Sequence, residues 1–116
     1  MLFDYKSQTK ENVFILNFWG ELVDKNQANK MMDEIEDKIK GGTHKFVLNL
    51  AELKYMNSSG LSVLIRILTK ARTHGGDVAL CNVNKKNTEL LEITKLNSIF
   101  HVPSTLDEAV ATLSKK

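Results

Sequence analysis

A chain of 116 residues matches one domain, long enough to bury about two thirds of its unfolded surface. Apolar residues make up 42% and charged residues 26%, which excludes a disordered or fibrous chain. Lys plus Arg outnumber Asp plus Glu by only 16 to 14, with the signs interspersed, so nothing here calls for nucleic acid as a partner.

LFDYKS alternates weakly and reads as an opening edge strand. VFILNFWG, Val13 to Gly20, is a β-branched and aromatic run of a strand buried on at least one face. Its apolar run is too short to span a bilayer, and Asp4, Lys6 and Lys10 precede it, so neither a secretion signal nor a membrane span is expected. From Asp24 the period changes to helical. Ala28, Met31, Met32, Ile35 and Ile39 form one dry stripe, with Asp24 or Asn26 as cap, Glu34/Lys38 and Glu36/Lys40 as i,i+4 pairs, and Gly41-Gly42 as the stop.

KFVLNL, Lys45 to Leu50, is the next strand, and Ala51 to Asn57 leads into YMNSSGLSVL. Past Gly60, Leu61, Leu64, Ile65, Leu68 and Ala71 make a second dry stripe, which Val63 and Ile67 widen. VALCNV, Val78 to Val83, is a third strand of the same kind. A helix from about Lys85 to Leu96 follows, with Leu90, Leu91 and Ile93 inward. Ile99 to Val102 reads as a short strand closed by Pro103. Ser104 or Thr105 caps a last helix, with Leu106, Ala109, Val110 and Leu113 inward. The order ββαβαβαβα predicts an α/β fold, a mixed sheet of four to five strands packed with about four helices, in a single domain over residues 1–116.

The segment YMNSSGLSVL places two hydroxyls and a glycine where a helix begins. Ser58 reads as an N-cap, its Oγ accepting from the amide of Gly60 or Leu61, worth roughly 1 kcal/mol. That leaves Gly60 unexplained, since a first-turn glycine costs up to about 1 kcal/mol relative to alanine unless something must approach the backbone closely. A helix start favours anions, and a phosphoserine brings a charge of about −1.5 to −2, so Ser58 is suited to a reversible mark.

Taken together, GEL at Gly20 to Leu22, FVLNL at Phe46 to Leu50, YMNSSGLSVL, HGGDVALCNV from His74 and LLEITKLNSIFHV resemble the anti-sigma factor antagonists of the STAS (sulfate transporter and anti-sigma antagonist) domain family. The resemblance runs over nearly the whole chain in the family's order. It implies a STAS-like sheet and a bacterial, non-enzymatic partner-switching protein. The unmodified form would bind an anti-sigma factor with serine kinase activity and release a sigma factor. Phosphorylation of Ser58, with Ser59 second to it, would end the complex, and a serine phosphatase would restore binding. The contact residues implied are Glu21, Asp24, Asn57, Ser58, Ser59, Gly60, Leu61 and Ser62. Asn57 stands where the family usually has Asp, Ser62 where it has a second glycine, and Asp24 one place late after GEL. These departures motivate an alternative, a STAS scaffold that does not switch or a subunit of a signalling or lipid-transport assembly.

No cofactor or metal is expected, because His44, His74 and His101 have no ligand spacing and Cys81 is the single cysteine, in an apolar strand. A reducing, cytoplasmic setting fits that cysteine usage. A Ser58 nucleophile would need the GxSxG elbow, which is lacking, so hydrolase chemistry is not expected.

Overall fold

A computed structural model describes residues 2–115. Its strands are β1 (Phe3–Lys10), β2 (Val13–Leu22), β3 (Lys45–Met56) and β4 (Asp77–Cys81), and its helices are α1 (Asn29–Lys40), α2 (Ser58–Thr73), α3 (Lys85–Ile93) and α4 (Leu106–Ser114). The sheet order is β1-β2-β3-β4, with β1 antiparallel to β2 and the other two pairings parallel. Glu11 and Asn12, both at positive φ (51° and 67°), form the two-residue turn that closes the β1–β2 hairpin.

Strand alternation divides the core into two layers. Phe14, Leu16, Phe18, Phe46, Leu48, Val78 and Leu80 pack against α1, α2 and Leu91 of α3. Val13, Ile15, Val47, Ala79 and Cys81 face the other way, under Ala109, Val110 and Leu113 of α4. Central strands buried on both faces read as unbroken apolar runs, which is why VFILNFWG has so few polar breaks. Where the apolar cover of the second layer ends, three side-chain amides form a ladder across the sheet: Asn82 Nδ2 donates to Asn49 Oδ1 (3.0 Å) and Asn49 Nδ2 to Asn17 Oδ1 (2.8 Å).

Several expectations are corrected. The fifth strand is reduced to one parallel bridge, Ala79 with His101, because the chain from Leu96 to Ser98 turns as a 3-10 helix. β3 continues six residues past Leu50 to Met56. The helix expected from Asp24 opens as a 3-10 turn, Lys25–Ala28, capped by Asp24 rather than Asn26. Glu34 and Glu36 bond to distant partners instead of the lysine four residues on. Glu34 accepts from Tyr5 Oη (2.7 Å) and Ser7 Oγ (3.0 Å), and Glu36 meets Lys70 Nζ at 2.6 Å, which holds its carboxyl below the usual range. Ile65 and Ile93 point outward, 37% and 79% exposed, while Val63 and Ile67 are fully buried.

Cys81 is buried, and that burial pushes its thiol from 9.0 up to about 11. The fold therefore favours the neutral thiol, so this group costs no stability below about pH 9 and lowers it as pH rises toward about 11. Urea midpoints between pH 8.5 and 11 are expected to fall less steeply for Cys81→Ala than for the parent, and native protein is expected to resist thiol reagents until it unfolds. Tyr5, its hydroxyl raised by burial and by Glu34, is common to both proteins and cancels in that comparison.

Candidate functional site

The parallel pairing of β2 with β3 sets Glu21 opposite Tyr55 and Leu22 opposite Met56, so the ends of both strands open at one edge of the sheet. Ligand and partner sites of parallel α/β sheets gather at this carboxyl edge. Asn57 stitches the two ends together. Its backbone N–H donates to Leu22 O (3.4 Å), its Nδ2 donates to Val23 O (3.1 Å), and its Oδ1 accepts from Gly60 N (3.1 Å).

That geometry makes Asn57, not Ser58, the N-cap of α2, correcting the expected cap. An aspartate here would keep the bond from Gly60 N but have no proton for Val23 O. Ser58 becomes the first helical residue and is exposed, and its Oγ has no hydrogen-bond partner among the described residues. The serine is thereby released from structural duty. Its carbonyl accepts from Ser62 Oγ at 3.0 Å, and Ser59 is half-buried.

Gly60 is explained from within the fold. A Cβ there would lie 2.5 Å from Leu22 O and 2.8 Å from Met56 Cβ, so the close approach is made by the end of β2 and not by an external ligand. Leu61, expected as an apolar contact surface, lies in the core with 5% exposed. Glu21 is half-buried, with its carbonyl accepting from Gln27 Nε2 (3.2 Å). Asp24 is exposed, and Asp24 Oδ1 accepts from Asn26 N (2.9 Å). The 3-10 turn that Asp24 caps packs against α2. The structure thus brings Asp24, Asn57, Ser58 and Ser62 to one edge and withdraws Gly60 and Leu61 from its surface.

A groove beside Ser58 was not foreseen. One wall is Tyr55 to Ser58, and the other is Lys86, Glu89, Leu90 and Ile93 of α3. Asn84 and Asn87 hold that wall in place, donating from their side-chain amides to Leu53 O at 3.2 and 3.0 Å. Lys86 Nζ sits 5.8 Å above the Tyr55 ring centroid, and Tyr55 is 40% exposed. The one local signal was NVNKKN, in which polar caps precede two lysines.

The first turn of α2 contains no acidic residue, so its free amides and positive dipole end meet no negative side chain from the turn itself. No three His, Cys, Asp or Glu side chains among the described residues could hold a metal ion together. His101 Nε2 instead meets Asp77 Oδ2 at 2.8 Å, and His74 Nδ1 meets Lys70 O at 2.9 Å. No helix among the described residues is long and apolar enough to cross a membrane.

Comparison with known proteins converges on one family. The anti-sigma F factor antagonist of Paenibacillus polymyxa is 28% identical over 104 residues, which cover 89% of this chain and 86% of that protein. TM1081 of Thermotoga maritima, solved by NMR, superposes with a TM-score of 0.84 at 27% identity, over 95% of this chain and 88% of its own. The Bacillus cell fate determinant SpoIIAA in its phosphorylated form has the same fold, with a TM-score of 0.74 at 17% identity over 94% of this chain and 98% of its own. The family model described as STAS domain matches residues 4–109, which takes in all of the sheet but Phe3, α1 to α3 and the start of α4, and the chain therefore belongs to the STAS domain family.

Proposed function

We propose that this protein is an anti-sigma factor antagonist without enzymatic activity of its own. Its unphosphorylated form binds an anti-sigma factor that is also a serine kinase, through the edge carrying Glu21, Asp24, Asn57, Ser58, Ser59 and Ser62, and the sigma factor is released. Gly60 and Leu61 shape that edge from beneath. The kinase then transfers the γ-phosphoryl group of ATP to Ser58 Oγ; the hydroxyl proton passes to a base of the kinase and ADP leaves. A serine phosphatase restores the binding form by hydrolysis.

The observation carrying this reading is the exposed Ser58 hydroxyl, without a hydrogen-bond partner among the described residues, at the first position of a helix whose cap is already supplied by Asn57. Such a hydroxyl accepts a phosphate without loss of any contact in the fold. The family relationship supplies the partner class, since the Paenibacillus relative is by name an anti-sigma factor antagonist. Electrostatics supplies the switch: docking removes water from the edge, and taking a phosphate dianion out of water there costs several kcal/mol.

Two outcomes are expected. With the cognate kinase and ATP, the parent incorporates phosphate and Ser58→Ala does not; equal incorporation removes Ser58 from the role. Ser58→Asp binds the same kinase about 100-fold more weakly, a change of roughly 2.7 kcal/mol. An aspartate variant that binds as tightly as the parent favours the scaffold alternative instead.

A further inference from the structure

Two lysines stand where a helix start disfavours them. α3 opens with Lys85 and Lys86 and has no acidic residue in its first turn, although the positive end of the helix dipole attracts anions and repels cations. A departure from a local rule points to a role outside the element. Among the described residues no carboxylate forms an ion pair with Lys86; its ammonium rests over the Tyr55 ring at 5.8 Å. The groove that holds this contact has Ser58 in its opposite wall, with Glu89 as the one carboxylate among its lining residues.

We infer that Lys86 is the cation that receives a phosphate on Ser58, leaving the Tyr55 ring to pair with it. The inference rests on the reading of Ser58 as the modified side chain and adds how the mark is read within this chain. A lysine stem has four flexible carbons and three donors, enough to turn from one wall of a shared groove to the other. A cation resting on a part-exposed ring is held weakly beside a charge-assisted pair with a dianion. The two helix starts then share one anion. The first turn of α2 gains the negative charge it lacks, and the first turn of α3 has its misplaced cation neutralised. Tyr55 loses its cover, so one covalent event alters the charge of the edge and the aromatic surface next to it.

The test installs phosphoserine at position 58 by suppressed-codon incorporation in the full chain, with no kinase involved, and follows the phosphorus resonance against pH. The second ionisation of the phosphate is expected about half a unit lower in the parent and in Lys86→Arg than in Lys86→Met, since a nearby cation favours the dianion. Tyr55 ring signals are expected to move on phosphorylation in the parent and not in Lys86→Met. A titration unchanged by Lys86→Met, or shifted equally by Lys85→Met, overturns the assignment. Glu89 is the same in all four proteins and does not distinguish them. Because the phosphate is installed without an enzyme, failure here leaves the kinase assay on Ser58→Ala to stand or fall separately.

Discussion

Gly60→Ala will lower the stability of the fold by about 2 to 3 kcal/mol, even though alanine is the better helix former. Propensity alone favours alanine by up to about 1 kcal/mol. Against this, the new methyl would sit 2.5 Å from Leu22 O and 2.8 Å from Met56 Cβ, one of them backbone at the end of a central strand. Either the start of α2 lifts away or the end of β2 bends. Both movements strain the bonds from Asn57 to Leu22 O and Val23 O, each worth about 1 kcal/mol, on top of an overpacking cost of about 1 to 3 kcal/mol. The clash wins, and the melting temperature is expected to fall by about 10 °C. Urea unfolding at constant m-value checks it. A midpoint equal to or above the parent's would show that α2 shifts freely and that Gly60 is not needed for packing.

Asp77→Ala is expected to cost about 2 to 4 kcal/mol. Asp77 is 8% exposed, and its carboxylate takes Arg72 Nε (3.2 Å), His101 Nε2 (2.8 Å) and the backbone N–H of Val78 (2.9 Å). It therefore joins the end of α2, the start of β4 and the segment that makes the single bridge at His101. Removing it leaves a cation, a part-exposed imidazole and the buried Val78 N–H without this acceptor, and unpaired groups of this kind are where the large costs of broken ion pairs arise. The Arg72 side chain is 45% exposed and partly satisfied by Ile99 O, so its share is the smaller. A double variant with His101→Ala should cost less than the sum of the singles. Hydrogen exchange at Leu80 N, which donates to His101 O, should quicken in Asp77→Ala; protection equal to the parent's there would argue that packing alone holds the segment.

Much of this architecture was legible from residue pattern. VFILNFWG, KFVLNL and VALCNV carry their burial in composition, and the Ala28–Met31–Met32–Ile35 stripe carries its face in spacing. What escaped depends on contacts far apart in the chain. Asn57 and Ser58 are both good caps, and which one serves is decided by how far β3 runs before the turn. The apolar arc of α2 is wide enough that pattern alone put Ile65 inside, whereas the sheet selects Val63 and Ile67. The chain from Ile99 to Val102 has strand-like residues, but only one bridge to β4 forms there.

The site was legible in part for the same reason. Ser58 announces itself as a hydroxyl at a helix start, and Glu21, Asp24 and Asn57 lie close to it through the β2–β3 register. Gly60 misleads when read locally, because the atom that requires it belongs to Leu22. Lys86 is 28 positions beyond Ser58 and no periodicity links them. Only the anchoring of α3 by Asn84 and Asn87 on Leu53 O brings it across from Tyr55.

The hairpin at Glu11 and Asn12 is the only strand pairing in the sheet that closes within a few residues; β2 must wait for a whole helix before β3 can join it. During folding, a β2 ribbon apolar on both faces therefore has a near partner in the polar β1 on one side, while its other side stays open until the more distant β3 joins. Lys6 and Lys10 give that ribbon a charged outer margin, guarding it against sticking to its neighbours during the interval.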